Sequence, residues 1–125
     1  MPKVLVVDDS AVMRKIIKKN IADSGMVVSD YIDAGDGKQA LDAVSKNDID
    51  LILCDWNMPN MSGIEFVKTL RSLNLPKKIP VIMITTEGSD AKVNEAKESG
   101  ADGYLTKPFT PDQIRDTLGN YILVS

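Results

Sequence analysis

Short apolar runs alternate along the chain with longer segments in which apolar residues recur every three or four positions, and this pair of patterns occurs five times. A short continuous apolar run is typical of a buried β-strand, and the longer period is typical of an amphipathic helix. The runs cover residues 4–7, 27–32, 51–54, 81–84 and 104–105. In the first helical segment we expect one buried face, made of Val12, Ile16, Ile17 and Ile21. The pattern therefore predicts five strands, each followed by a helix.

The predicted strands contain few polar residues, and this determines how the sheet is built. Strands that are apolar on both sides belong in a parallel sheet covered by helices, with right-handed connections between strands. The fold class that follows is α/β, a (βα)5 doubly wound parallel sheet of five strands. No linker or change of composition interrupts the pattern, so we expect one domain, residues 1–125, without a separate output domain.

Several helix ends carry their own signals. The segments 62–65 and 110–113 fit the capping box, in which a hydroxyl and a Glu or Gln three residues later bond each other's backbone amides. Gly25 and Gly100 stand where the first and fourth helices should end. The fourth helical segment offers little apolar surface, so we expect it to be held less firmly than the others.

Composition and charge narrow the function classes. With 15 Lys and Arg against 18 Asp and Glu, the net charge of −3 argues against a protein that mainly binds nucleic acid. The chain has no histidine, which excludes imidazole metal ligands and histidine-activated nucleophiles. The single Cys54 cannot form an internal disulfide, and no apolar run approaches the roughly 20 residues of a membrane span. We therefore expect a cytoplasmic protein whose chemistry depends on carboxylates, hydroxyls, lysine and the backbone.

Polar side chains follow most of the predicted strands. Asp8 and Asp9 come after the first strand, Asp55 after the third, Thr85 after the fourth and Lys107 after the fifth. In an open α/β sheet, ligands bind at the carboxyl ends of the strands, near the point where the strand order reverses. We therefore expect these side chains to form one site.

The residue types in this site favour phosphoryl chemistry with a magnesium ion. Three carboxylates close together repel each other unless a cation lies among them, and an all-oxygen donor set suits Mg²⁺. A lysine and a hydroxyl beside the metal would neutralise the oxygens of a phosphoryl group. A carboxylate can accept that group covalently, and Asp55 is the best candidate because the pair Asp8 and Asp9 is better suited to hold metal.

Four segments resemble the sequence motifs of the receiver domain of bacterial two-component signalling. In chain order they are Val6-Val7-Asp8-Asp9-Ser10, Cys54-Asp55-Trp56-Asn57-Met58-Pro59, Met83-Ile84-Thr85-Thr86 and Gly103-Tyr104-Leu105-Thr106-Lys107-Pro108-Phe109. The resemblance spans nearly the whole chain. Among receivers, the chain is most similar to the single-domain chemotaxis receivers. It implies the flavodoxin-like strand order 2-1-3-4-5.

The resemblance also implies a role for each residue of the site. Asp55 would be the phosphoacceptor, and Mg²⁺ would be held by Asp9 directly, by Asp8 largely through water, by Asp55 and by the backbone carbonyl of Asn57. Thr85 would bind the phosphoryl oxygens.

The remaining implied roles surround this centre. Lys107 would also bind the phosphoryl oxygens, and the Lys107–Pro108 bond would be cis. Tyr104 would turn inward when Thr85 moves, so the two form a switch. Asn57 and Glu87 would tune the loss of the phosphoryl group, and Ser10 stands where chemotaxis receivers often carry a bulkier residue.

The function implied is a stand-alone response regulator that catalyses only its own phosphorylation and dephosphorylation. Its partners would be a chemotaxis histidine kinase, a flagellar motor switch protein or other target protein, and a phosphatase, with no nucleic acid, no membrane and a monomeric state. The docking face would comprise residues 91–99, 103–106 and 111–121. A single-domain phosphorelay receiver outside chemotaxis is the alternative that these residues leave open.

Two other classes of protein fit less well. Aspartyl-phosphate phosphohydrolases use a second aspartate two positions after the acceptor as a general acid, and Asn57 cannot donate a carboxylic proton. The segment 35–40 matches a dinucleotide-binding glycine pattern, but it follows the second strand and the chain has no second mononucleotide-binding half.

Overall fold

The computed structural model describes residues 3–56, 58, 61–73, 75, 78–86, 89–107 and 109–121, and of residue 90 it describes the backbone alone. The five strands are β1 Lys3–Val7, β2 Asp30–Ala34, β3 Leu51–Asp55, β4 Val81–Thr85 and β5 Gly103–Thr106. The five helices are α1 Ala11–Asp23, α2 Gly37–Lys46, α3 Gly63–Ser72, α4 Asp90–Ser99 and α5 Pro111–Leu118. The predicted alternation of strand and helix is confirmed.

The strands form one parallel sheet in the order β2-β1-β3-β4-β5, as predicted. The register places Val7 opposite Cys54 and Asp55 opposite Ile84. The chain leaves β1 towards β2 on one side and returns on the other side as β3. The strand order therefore reverses between β1 and β3, next to Asp8 and Asp55.

The apolar core lies on both faces of the sheet. One cluster packs the sheet against α2, α3 and α4 and includes the largest fully buried side chain, Phe66. The other packs it against α1 and α5 through Ile17, Ile21, Ile114 and Leu118. Residues along β1, β3 and β4 alternate between the two clusters, which is why these strands read as continuous apolar runs.

Two sequence expectations, one about the second strand and one about the first helix, were wrong. The second strand begins at Asp30 rather than at residue 27, because β2 pairs only with β1 and its register starts opposite Lys3. Val12 and Ile16 are exposed, at 67% and 43%. The buried side of α1 follows Ile17 and Ile21, and residues one position earlier lie about 100° around the helix.

The predicted helix ends are mostly present. Thr110 and Gln113 form a complete capping box. At Ser62 only half of the box forms, because the Ser62 hydroxyl donates to the Glu65 carboxylate while it accepts from the Glu65 amide. Gly100 ends α4 with φ 110°, a left-handed conformation that glycine adopts without a side-chain penalty.

Candidate functional site

Four of the predicted site residues come together at the carboxyl edge of the sheet. Carboxylate oxygens of Asp8, Asp9 and Asp55 lie within 4.8 Å of one another. The Lys107 Nζ lies 3.2 Å from Asp55 Oδ1 and 3.6 Å from Asp8 Oδ2. Because β1, β3 and β5 are parallel, residues at their ends reach the same edge even though Lys107 is 52 positions from Asp55.

The backbone around Asp55 is fixed by its neighbours. The Trp56 amide donates to the Ile84 carbonyl at 3.0 Å, and the Gly63 amide donates to the Trp56 carbonyl at 2.9 Å. A Cβ atom at position 63 would lie 2.4 Å from the Asp55 carbonyl oxygen and 2.6 Å from Met83 Cε. Only glycine therefore lets α3 start this close to the end of β3.

Asp8 is held by its backbone and by one carboxylate oxygen. Its amide donates to the Ala34 carbonyl at 3.1 Å, and its Oδ1 accepts from the Ser10 amide at 2.9 Å. The other oxygen, Oδ2, is buried and has no hydrogen-bond partner within the described part of the chain. A buried carboxylate oxygen in this state is costly unless a ligand satisfies it.

The electrostatics of the site favour a bound cation. Burial raises the pKa of Asp8, against the opposing effects of the Ser10 amide and the Lys107 charge. Burial also raises the pKa of Asp55. The negative charge of Asp8 raises this pKa further, whereas Lys107 lowers it. The lysine thus compensates these carboxylates only partly. Three carboxylates without nitrogen or sulfur ligands fit Mg²⁺ well.

The buried thiol beside the site has no part in this chemistry. Cys54 is fully buried, and burial, with the charges of Asp55 and Asp8, raises its pKa far above the usual range. The thiol therefore stays protonated and packs as a small apolar side chain.

The predicted switch residues lie on neighbouring strands. Thr85 is buried at the end of β4, and its carbonyl accepts from the Lys107 amide at 2.7 Å. Tyr104 on β5 is 39% exposed and lies opposite Met83 in the register. In this conformation the tyrosine is accessible from outside and the threonine is not.

Three predicted features lie outside the described residues. They are the backbone carbonyl of Asn57, the side chain of Glu87 and the Lys107–Pro108 peptide bond. They stay predictions.

Two contacts that border the site were not predicted from the sequence. Arg14 donates through Nη1 to the backbone carbonyl of Asp8. The Lys92 Nζ of α4 lies 4.7 Å from the centroid of the Trp56 ring. The only sequence signal for the first contact is a basic residue in the helical turn that directly follows the acidic pair.

Comparison with known proteins identifies the class. Residues 4–119 match the family model described as the response regulator receiver domain. The chain therefore belongs to the response regulator receiver family.

Within the described residues, no helix is long and apolar enough to span a membrane.

Within this family the chain is similar to chemotaxis receivers called CheY. It is 43% identical to a Chemotaxis protein CheY homolog of Campylobacter jejuni, covering 93% of this chain and 88% of that protein. It is 44% identical to Chemotaxis protein CheY1 of Helicobacter pylori, covering 93% of each. Among solved structures, Vibrio cholerae CheY4 superposes with a TM-score of 0.85 at 41% identity, covering 97% of this chain and 98% of the other.

Proposed function

We propose that this chain accepts a phosphoryl group on Asp55 from the phosphohistidine of a histidine kinase and then changes its affinity for a partner protein. The observation that carries the proposal is the cluster of Asp55 with Asp8, Asp9 and Lys107 at the reversal point of the sheet. The receiver family and the similarity to CheY proteins support it.

The residues of the site have separate parts in the transfer. A carboxylate oxygen of Asp55 attacks phosphorus, the phosphorus–nitrogen bond of the donor breaks with its electron pair going to the imidazole, and an acyl phosphate forms. The Lys107 ammonium and the Thr85 hydroxyl bind the phosphoryl oxygens. The chain has no histidine, so the phosphohistidine belongs to the partner.

Asp8, Asp9 and Asp55 would hold a magnesium ion, with the Asn57 carbonyl as the further protein ligand. The buried, unbonded Oδ2 of Asp8 fits this assignment. When bound, the ion supplies positive charge that offsets the charge of the phosphoryl oxygens. Asp8 follows directly after β1 and Asp9 comes next, so the end of this strand determines where both carboxylates lie.

The output we propose is a change on the face formed by α4, β5 and α5. Among the described side chains of α4, only Ala96 and Ser99 are buried, so this helix is held weakly. Movement of Thr85 towards the phosphoryl group would let the exposed Tyr104 turn inward beneath α4. The similarity to chemotaxis proteins favours a chemotaxis kinase as donor and a flagellar motor switch protein as target.

The acceptor is tested by phosphorylation with a small acyl phosphate and Mg²⁺, followed by mass spectrometry of the intact chain. Wild type should gain one phosphoryl group, and Asp55→Asn should gain none. Asp42→Asn is the matched control, because Asp42 is exposed on α2 and pairs with Lys46. Equal labelling of Asp55→Asn and wild type would show that the acceptor is another residue.

The output is tested with Tyr104→Ala. This variant should be phosphorylated nearly as well as wild type, since Tyr104 lies on the outside of β5 and makes no part of the acceptor site. Its phosphorylated form should bind the flagellar motor switch protein more weakly. Loss of phosphorylation and binding together would contradict the proposed switch.

A further inference from the structure

We infer that Arg14 is a positioning residue for the magnesium site, because it fixes the peptide plane between Asp8 and Asp9 and thereby directs the Asp9 carboxylate towards the other two. The inference rests on the proposed function, in which these carboxylates hold Mg²⁺. Arg14 touches neither a phosphoryl group nor the metal in this scheme. It acts through the backbone of the acidic pair.

Arg14, on α1, connects the end of β1 to β2. Its Nη1 donates to the Asp8 carbonyl, and its Nε lies 3.3 Å from Asp33 Oδ2 at the end of β2. Lys18, one turn further along α1, lies 2.8 Å from the other oxygen of Asp33. The Asp33 carboxylate therefore binds the same guanidinium that donates to the Asp8 carbonyl, through a different nitrogen.

The charge state of Asp33 supports a lasting contact. Burial alone would raise the pKa of Asp33, but the bonds and charges of Lys18 and Arg14 outweigh it and hold the pKa below its ordinary value. Asp33 is thus ionised at neutral pH. A guanidinium between a carboxylate and a carbonyl uses its planar donors in fixed directions, which restrains both neighbours.

Among the described residues, the position of Asp9 is restrained through the backbone. The Asp8 amide is already bonded to the Ala34 carbonyl on β2. Fixing the Asp8 carbonyl as well fixes the plane of the next peptide, to which the Asp9 amide belongs. Asp9 itself is exposed, so burial does not hold its side chain. Without Arg14, the Asp8 carbonyl would lose this restraint on the Asp8–Asp9 peptide.

The charge of Arg14 is favoured by Asp33 but not by its place in the helix or beside a metal site. It lies in the first turn of α1, where the helix dipole disfavours a cation. A guanidinium beside a cation site also repels the metal. Charge alone therefore predicts that removing Arg14 strengthens magnesium binding, whereas the positioning role predicts that it weakens binding.

The experiment measures Mg²⁺ affinity of the full chain by calorimetry and by the fluorescence of Trp56, together with thermal unfolding. Arg14→Met should bind Mg²⁺ about tenfold more weakly, the lower end of the effect seen when an outer-shell contact is lost. Arg14→Lys should also bind more weakly, because an ammonium keeps the charge but not the planar pair of bonds. Lys18→Met is the matched control, because it shares Asp33 but does not contact Asp8, and it should bind as wild type does.

The outcomes separate this inference from the proposed function. If wild type binds no Mg²⁺, both are overturned. If wild type binds Mg²⁺ and Arg14→Met binds it equally or more tightly, only the positioning role is overturned. A lower melting temperature with unchanged affinity would likewise assign Arg14 to stability alone. Arg14→Lys keeps a cation and a long stem, so it provides the test if Arg14→Met does not fold.

Discussion

The two ends of the sheet surround their aspartates in opposite ways. At the amino edge, the carboxylate of Asp102 accepts from Arg71 at 2.9 Å, from Lys78 at 3.1 Å and from the Val81 amide at 2.9 Å. At the carboxyl edge, Asp8 keeps an oxygen with no hydrogen bond within the described residues, and its nearest cation is Lys107 at 3.6 Å. One carboxylate is satisfied by the chain and the other is left for a ligand.

This difference separates an aspartate that stabilises the fold from one that suits the proposed metal binding. A partly buried charge with several donors restrains the elements around it, and removal of one partner is destabilising. A buried charge with too few donors costs free energy in the unliganded state, and the chain keeps it where a cation can bind. The same residue type thus stabilises the fold at one edge and serves the proposed chemistry at the other.

The largest stability effect should follow from breaking the amino edge. Arg71→Met removes the bond to Asp102 and two bonds to the carbonyls of Gly100 and Ile79. We expect a loss of about 2–3 kcal/mol in the free energy of unfolding, because a largely buried carboxylate loses a charged donor. Urea denaturation measures this loss. Lys78→Met, at a side chain that is 68% exposed, is the control and should cost much less, and equal losses would contradict the comparison.

The opposite sign is expected at the carboxyl edge. In the presence of a chelator, Asp8→Asn should raise the free energy of unfolding by about 1 kcal/mol, because it removes a buried charge that repels Asp55. The amide oxygen can still accept from the Ser10 amide. Asp42→Asn, at an exposed aspartate, is the control and should show no such gain. A destabilised Asp8→Asn would mean that the Asp8 charge supports the apo fold.

The pH dependence should follow from the same two carboxylates. The pKa values of Asp8 and Asp55 are raised in the folded chain, so the folded state keeps protons that the unfolded state releases. Their contribution to stability is therefore greatest below the ordinary value of 3.8 and is lost as the pH rises through the folded pKa values. The gain of Asp8→Asn over wild type should accordingly shrink to nothing in acid. Denaturation curves in a chelator from acid to neutral pH test this, and a gain independent of pH would contradict it.

The smallest effect should come from an exposed ion pair that belongs to neither edge. Lys46 lies 3.0 Å from Asp42 on the surface of α2, and both side chains are more than half exposed. We expect Lys46→Ala to change the free energy of unfolding by about 0.5 kcal/mol or less. Denaturation in low and high salt measures it. A loss as large as that of Arg71→Met would show that burial does not explain the difference between the edges.

Much of the fold could be predicted because its signals are local. The apolar runs of β1, β3 and β4 mark strands buried on both faces, and the parallel sheet follows from them. The start of β2 could not be predicted, because an edge strand has weaker apolar demands and its register is set by β1. The exposure of Val12 and Ile16 was missed for a related reason, since several faces of α1 carry apolar residues.

The candidate site was predictable only where the topology determines it. Asp8, Asp55 and Lys107 end parallel strands, so they must share an edge. The contacts of Arg14 and Arg71 carry no such signal. Each contact depends on a long arginine side chain that extends to another element of the fold. The pattern of apolar residues does not indicate which residue that side chain contacts.

The close approach at Gly63 has an evolutionary consequence. A side chain there would collide with the backbone oxygen of Asp55, which cannot move aside as a flexible side chain does. Selection for a folded protein and selection for the proposed chemistry therefore act on the same position. At Arg71, by contrast, only selection for a folded protein acts, because this residue lies at the other edge of the sheet. A substitution at position 63 cannot exchange some stability for a new activity, because the atom that it displaces belongs to the acceptor itself.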